Sequence, residues 1–211
     1  LTFSIWALIY LLLTGFTIMQ AKGLFSAGNP APAYVGKIKW LFVLNGILNA
    51  SWIVAWHYQL VLLSLFIMLG LLITLILIYE RIGRPISETS ILEKIFVYGA
   101  FSVYLGWICI ATIANFTTLL VDLEWDGFGI SEAIWTVLVI LIGTGINLFY
   151  MFKRSDLILP LVAVWAFIGI ALKQSQIVDP QVMPVLIAAT GCAALLSLLF
   201  MIKSIQASMK R

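Results

Sequence analysis

Residues 101–116, FSVYLGWICIATIANF, hold the side chains best placed to do chemistry. Tyr104, Trp107, Ala111 and Asn115 follow at steps of three, four and four, so a helix presents them on one face. Both flanks are apolar, which makes this the middle of a membrane span. An amide in hydrocarbon is costly unless it finds a partner, and Trp at that depth is outside its usual interfacial belts. Two readings stay open. Asn115 could bond a neighbouring helix while Trp107 fills a gap in the bundle, or the face could line an intramembrane pocket. Two further stripes repeat the pattern: Asn45, Asn49, Trp52 and Trp56 on one segment, and Phe3, Trp6 and Tyr10 on another. Faces of this kind suit a flat, mostly apolar ligand, with rings stacked on Trp and Tyr and an amide fixing orientation.

Conventional catalytic chemistry is nearly excluded. His57 is the only histidine, so two histidines of one chain cannot ligate a haem. The nine carboxylates fall in loops or at span ends, which leaves no buried acid for a proton relay. No lysine lies within a span, no phosphate-binding glycine loop or metal-ligand spacing occurs, and Cys109 and Cys192 sit alone in apolar runs as packing residues. No metal or cofactor is expected.

The elements that must position these residues are membrane helices. Of 211 residues, 63% are hydrophobic and 10% charged, with a mean hydropathy of +1.12, the composition of a polytopic α-helical membrane protein. Seven apolar runs are visible, at 3–20, 39–57, 59–79, 95–119, 131–152, 157–173 and 182–202. At 1.5 Å per residue each is long enough, the shorter ones only just, for a hydrocarbon core of about 30 Å. The second and third meet at His57-Tyr58-Gln59 in a tight hairpin. AGNPAPAY (27–34) is a connection no helix tolerates. Ser90 with Glu93 forms a capping-box pattern, Ser131 can cap the next helix, and Ser155 or Asp156 the one after. Pro160 and Pro184 fit first turns. Gly143-Thr144-Gly145 with Asn147 is the best place for a helix irregularity. Leu1 is not Met and the first apolar run begins at once, so a further helix upstream is expected.

Charge orients the bundle. Lys22, Lys37 and Lys39, then Arg81, Arg84 and Lys94, then Lys153 and Arg154, then Lys203, Lys210 and Arg211 occupy alternate connections, against Lys173 alone on the other side. By the positive-inside rule the C-terminus is cytoplasmic, in a multi-pass protein of the cell membrane. The scattered bases give no reason to expect a nucleic-acid partner.

The motifs resemble the translocator protein family, also called TspO/MBR or tryptophan-rich sensory proteins. Trp6-Ala7-Leu8-Ile9-Tyr10, Asn49-Ala50-Ser51-Trp52 and Tyr104-x-x-Trp107-x-x-x-Ala111-x-x-x-Asn115 stand in the family's order. The resemblance covers residues 1–120, as helices two to five of that fold, and residues 121–211 add three helices to the same membrane domain. Val103 stands where the family has Pro, and Ile110 where it has Phe. Nothing after Asn115 matches the family's sterol-recognition segment, so sterol binding is not expected. The resemblance implies a membrane-embedded binding protein, with the bilayer, a porphyrin or other tetrapyrrole, and a homodimer as partners. Trp6, Asn49, Trp107 and Ala111 carry over as pocket residues, with Tyr10 a turn along. Trp52, Tyr104 and Asn115 complete the expected site. A small secondary carrier and a structural partner subunit are the alternatives.

Overall fold

The computed structural model describes residues 2–25, 33–86, 88–177 and 182–209. Among these residues there are helices and turns but no strand. The helices are α1 (Ile5–Phe25), the short α2 (Ala33–Ile38), α3 (Leu41–His57), α4 (Val61–Ile82), α5 (Ile91–Glu93), α6 (Ala100–Asp122), α7 (Glu132–Lys153), α8 (Leu159–Gln174) and α9 (Met183–Ser208). A π-helical turn, Lys94–Gly99, joins α5 to α6, so Ile91–Asp122 is one continuous helix. The seven apolar runs are therefore seven apolar helices, and the protein is an all-α polytopic membrane protein. Five exceed the length and hydropathy a span requires, while α3 and α8, of 17 and 16 residues, sit at the short limit.

Local signals place the boundaries. Ser90 Oγ accepts from Glu93 N at 3.2 Å while the Glu93 carboxylate accepts from Ser90 N at 3.1 Å, a complete capping box opening Ile91–Asp122. Ser131 Oγ caps α7 from Ile134 N. Before α8 the acceptor is Asp156, whose Oδ1 takes the amides of Ile158 and Leu159 at 2.8 and 3.1 Å. Pro160 and Pro184 occupy first turns, where their missing N–H groups cost nothing. The hairpin between α3 and α4 closes through Leu60 N donating to Ala55 O at 2.9 Å, with Gln59 at φ 57° making the reversal. Most of the connection 27–34, the side chain of Lys22, and Lys210 and Arg211 lie outside the described residues.

Large apolar side chains face outward along the helices. Ile47 and Val54 on α3, Phe66 and Ile73 on α4, and Ile187 and Leu198 on α9 are exposed. Water would penalise such a surface, whereas hydrocarbon accepts it.

The described residues form two compact units. One is Phe3–Leu119, and the other runs from Leu120 onward and includes Thr2. At the centre of the first lies α6, with every residue from Ala100 to Ile108 buried. A helix buried all round must be surrounded by others. One aromatic cluster fills an end of this unit: Phe16 meets Phe42 and Phe101 at 4.9 Å each and Tyr34 at 5.8 Å. Tyr34 lies outside the spans, and burial, aided by the Glu93 carboxylate, raises its phenol above the ordinary range. The π-helical turn packs on α1, where a side chain on Gly15 would run into the Phe96 ring.

The second unit packs α7, α8 and α9 on one another. Here the expected irregularity does not occur. The α7 backbone runs unbroken through residues 143–147, where Thr144 Oγ1 and Asn147 Nδ2 donate back to the carbonyls of Ile140 and Gly143 at 2.8 and 2.7 Å. The irregular turn is at 94–99 instead. Trp165, half-buried on α8, donates from Nε1 to Thr2 O at 3.3 Å. In the connection before α7, Trp125 contacts Trp135 at 5.1 Å and Phe128 at 5.2 Å.

In hydrocarbon, helix pairs are held by packing and a few hydrogen bonds. Asn45 supplies the clearest bond between α3 and α4, its Nδ2 donating to Leu71 O at 3.2 Å and Thr74 Oγ1 at 2.9 Å. Asn45→Ala removes both and is expected to cost about 1 kcal/mol. Thermal unfolding in detergent measures this, and an unchanged midpoint would deny Asn45 a part in joining the helices.

Candidate functional site

Trp6 is the hub of the first unit's second aromatic cluster. Its position one residue into α1 turns the indole toward both α3 and α6. The ring stacks on Tyr10 at 5.5 Å and 22°, as the i, i+4 spacing on one helix dictates. Across to α3 it stacks on Trp52 at 6.1 Å and 27°. Toward α6 it meets Tyr104 at 6.1 Å and 66° and Trp107 at 6.2 Å and 82°, both edge-on. Edge and offset contacts of this kind each add about 0.5–1.5 kcal/mol beyond burial. Phe3 closes the rim against Trp107 at 5.8 Å, and Trp56 continues the α3 stripe by stacking on Trp52 at 5.7 Å.

One amide enters this cluster. Asn49, buried on α3, donates from Nδ2 to the Tyr10 hydroxyl at 3.2 Å, leaving its Oδ1 without a partner. Turning the amide over would pair Oδ1 and leave Nδ2, so one polar atom is unmatched either way. Three more buried polar atoms near the hub also lack partners: Trp52 Nε1, Tyr104 Oη and Trp107 Nε1. Each unmatched group costs about 1–3 kcal/mol of desolvation, so four in one neighbourhood form a conspicuous set. No side chain of the cluster is charged.

The structure therefore brings together Trp6, Tyr10, Asn49, Trp52, Tyr104 and Trp107. It does not bring Asn115 to them. That residue accepts from Ser64 Oγ of α4 at 3.1 Å, as the helix-bonding reading of the sequence anticipates, though its Nδ2 stays unpaired. Ala111 is half-buried, one turn beyond Trp107. Along α3 the single stripe divides, with Asn45 turned to α4 and Asn49 and Trp52 turned to α1.

Phe3 was legible only as a member of its stripe, and its contact with Trp107 needed the fold. The cluster of Phe16, Tyr34, Phe42 and Phe101 gave no signal, because Phe in an apolar run looks like any other lipid-facing or core residue. The rings around Trp6 lie in contact with it, at centroid distances of 5.5 to 6.2 Å. Beside Tyr10 a shallow groove of about 290 Å³ follows α1 along Leu13, Thr14, Thr17 and Ile18, near the lower limit for ligand sites. Tyr10, 42% exposed, belongs to both groove and cluster.

Fold and geometry define a membrane helix bundle with an uncharged aromatic and amide cluster inside it. The family model of TSPO-like protein matches residues 1–202, and the chain belongs to that family. The match runs past residue 120 and takes in α7, α8 and most of α9. Membership places the chain among membrane ligand-binding or transport proteins. No curated protein and no solved structure matches the chain.

Because Trp6 contacts four rings and Trp56 is given one, their removal should differ. Trp6→Ala is expected to lower stability by about 3 kcal/mol and Trp56→Ala by about 1 kcal/mol. Equal shifts in thermal unfolding would remove Trp6 from the centre of the cluster.

Proposed function

We propose that the protein binds a flat amphipathic ligand, a tetrapyrrole such as a porphyrin, at the Trp6 cluster. The carrying observation is the set of unmatched polar atoms, Asn49 Oδ1, Trp52 Nε1, Tyr104 Oη and Trp107 Nε1, around stacked aromatic faces in a dry bundle. A conjugated ring can stack on the Trp and Tyr faces while its polar atoms meet these groups. The cluster offers no counter-ion, so ionised substituents of the ligand would point out along the Tyr10 groove. Ala111 leaves room beside Trp107, and Asn115 acts on the site through the α4–α6 contact.

Binding is favoured over carriage. A carrier of the usual kind uses a broken helix or a coupling charge near the midplane. In this chain α7 is unbroken at residues 143–147, and the carboxylates among the described residues lie at helix ends or in connections. The protein's setting in this reading is the cell membrane, with the C-terminus in the cytoplasm, beside the basic connections. A homodimer is compatible with it.

Quenching of tryptophan fluorescence by protoporphyrin IX tests the site. Saturable micromolar quenching is expected, weakened several-fold by Trp107→Phe and by Asn49→Ala, each of which removes one polar group. Unsaturable quenching, equal in all three proteins, would mean partition into detergent and would end the porphyrin reading. For orientation, Ser208→Cys should resist a membrane-impermeant thiol reagent in intact cells and react once they are broken. Labelling of intact cells would reverse the topology.

A further inference from the structure

We propose that Trp6, Trp52 and Trp56 form a one-electron relay that carries oxidising equivalents from the buried cluster to the end of α3. The ring planes of the three indoles set this path. Trp6 and Trp52 lie 6.1 Å apart at 27°, and Trp52 and Trp56 lie 5.7 Å apart at 25°. Each neighbouring pair of these three indoles is thus stacked, forming a column, while Tyr104 and Trp107 meet Trp6 edge-on at 66° and 82°. Electronic coupling between rings grows with overlap of their faces, so the strongly coupled routes from Trp6 are the Trp column and the single step to Tyr10, stacked on it at 5.5 Å and 22°, and only the column continues through further indoles. The edge-on rings are side contacts.

Direction comes from where a proton can leave. An indole that has lost an electron becomes a radical cation and a strong N–H acid. Trp52 Nε1 is buried with no acceptor, so a cation there keeps its proton and stays mobile. Trp56 is 42% exposed at the end of α3, beside His57 and Tyr58, both exposed. There the N–H proton can pass to interfacial water, leaving a neutral radical that does not return. Burial also opposes charge in the cluster, which contains no carboxylate to stabilise a cation, so the positive charge is drawn to the wet end.

The steps balance. An oxidant at the cluster takes one electron from Trp6, Trp6 recovers one from Trp52, and Trp52 recovers one from Trp56. Trp56 releases its N–H proton to water. In sum the oxidant is reduced by one electron, Trp56 is oxidised by one, and the indole N–H is the bond that breaks. For the working protein the oxidant is a photoexcited aromatic ligand, and to that extent the relay rests on the function proposed above. Its effect would be to move the positive charge away from the reduced ligand before the two recombine.

The test replaces the ligand by a tethered oxidant, so that binding and relay are judged separately. A ruthenium polypyridyl label is placed on Phe3→Cys, in a Cys109→Ala, Cys192→Ala background, with the full chain in lipid nanodiscs. Phe3 is 71% exposed and touches Trp107, at the cluster's rim. After flash oxidation of the label, time-resolved absorption and electron paramagnetic resonance should detect a long-lived neutral tryptophan radical. Deuterated water should delay it. Trp56→Phe and Trp52→Phe should each abolish the signal, while Trp40→Phe, an exposed Trp outside the column, should retain it. Absence of the radical in the parent protein, or its survival in either Trp52→Phe or Trp56→Phe, overturns the relay. Failure of protoporphyrin to bind would overturn the previous reading without altering this result.

Discussion

Hydrocarbon offers no hydrogen bonds, and the whole structure follows from how its few polar side chains meet that condition. Asn45 meets it by tying α3 to the Leu71 carbonyl and the Thr74 hydroxyl. Thr144 and Asn147 meet it in part by bonding back to carbonyls of their own unbroken helix. Ser64 and Asn115 meet it partly, across α4 and α6. These groups hold helices in place. Around Trp6 the condition goes unmet at four atoms, and those atoms share a neighbourhood. Polar groups distributed for stability alone would be expected to pair where packing permits. A cluster that leaves two indole N–H groups, a phenol and one amide atom unmatched has given up stability there, and function is the usual reason for such a concession.

That contrast also explains how much could be read from the sequence. Helix number, order and approximate ends were legible, because each span must be apolar and long enough and because capping residues such as Ser90, Glu93 and Ser131 act locally. Trp6, Tyr10, Asn49, Trp52, Tyr104 and Trp107 were legible as a set because Trp and Asn are unexpected at depth and fall at helical steps. Which neighbour each helix faces was not legible. Asn45 and Asn49 are four residues apart, yet one turns to α4 and the other to α1. Their spacing carries no information about that division, which depends on helix crossing. The π-helical turn at 94–99 was hidden for a similar reason. KIFVYG reads as an ordinary apolar stretch, and the extra residue is accommodated through packing on α1, where Gly15 leaves space for Phe96.

Two of the three helices that build the site, α1 and α6, are enclosed to different degrees, and the binding proposed above would use that difference. In the span Ile91–Asp122, 61% of the apolar window is buried, against 22% for Thr2–Ala21. The edge-on partners Tyr104 and Trp107 are therefore carried by the most enclosed span, while Trp6, the hub, is carried by the least enclosed one. In the binding proposed above, a ligand inserted among these contacting rings would part them on the α1 side, where Phe3 and Tyr10 already lie at the exposed rim. Entry would then be lateral, along the groove beside Tyr10, with α6 as the fixed wall and α1 as the yielding one. A hydrophobic ligand already dissolved in the bilayer arrives from that direction, so the less enclosed helix and the ligand's own partitioning favour the same path.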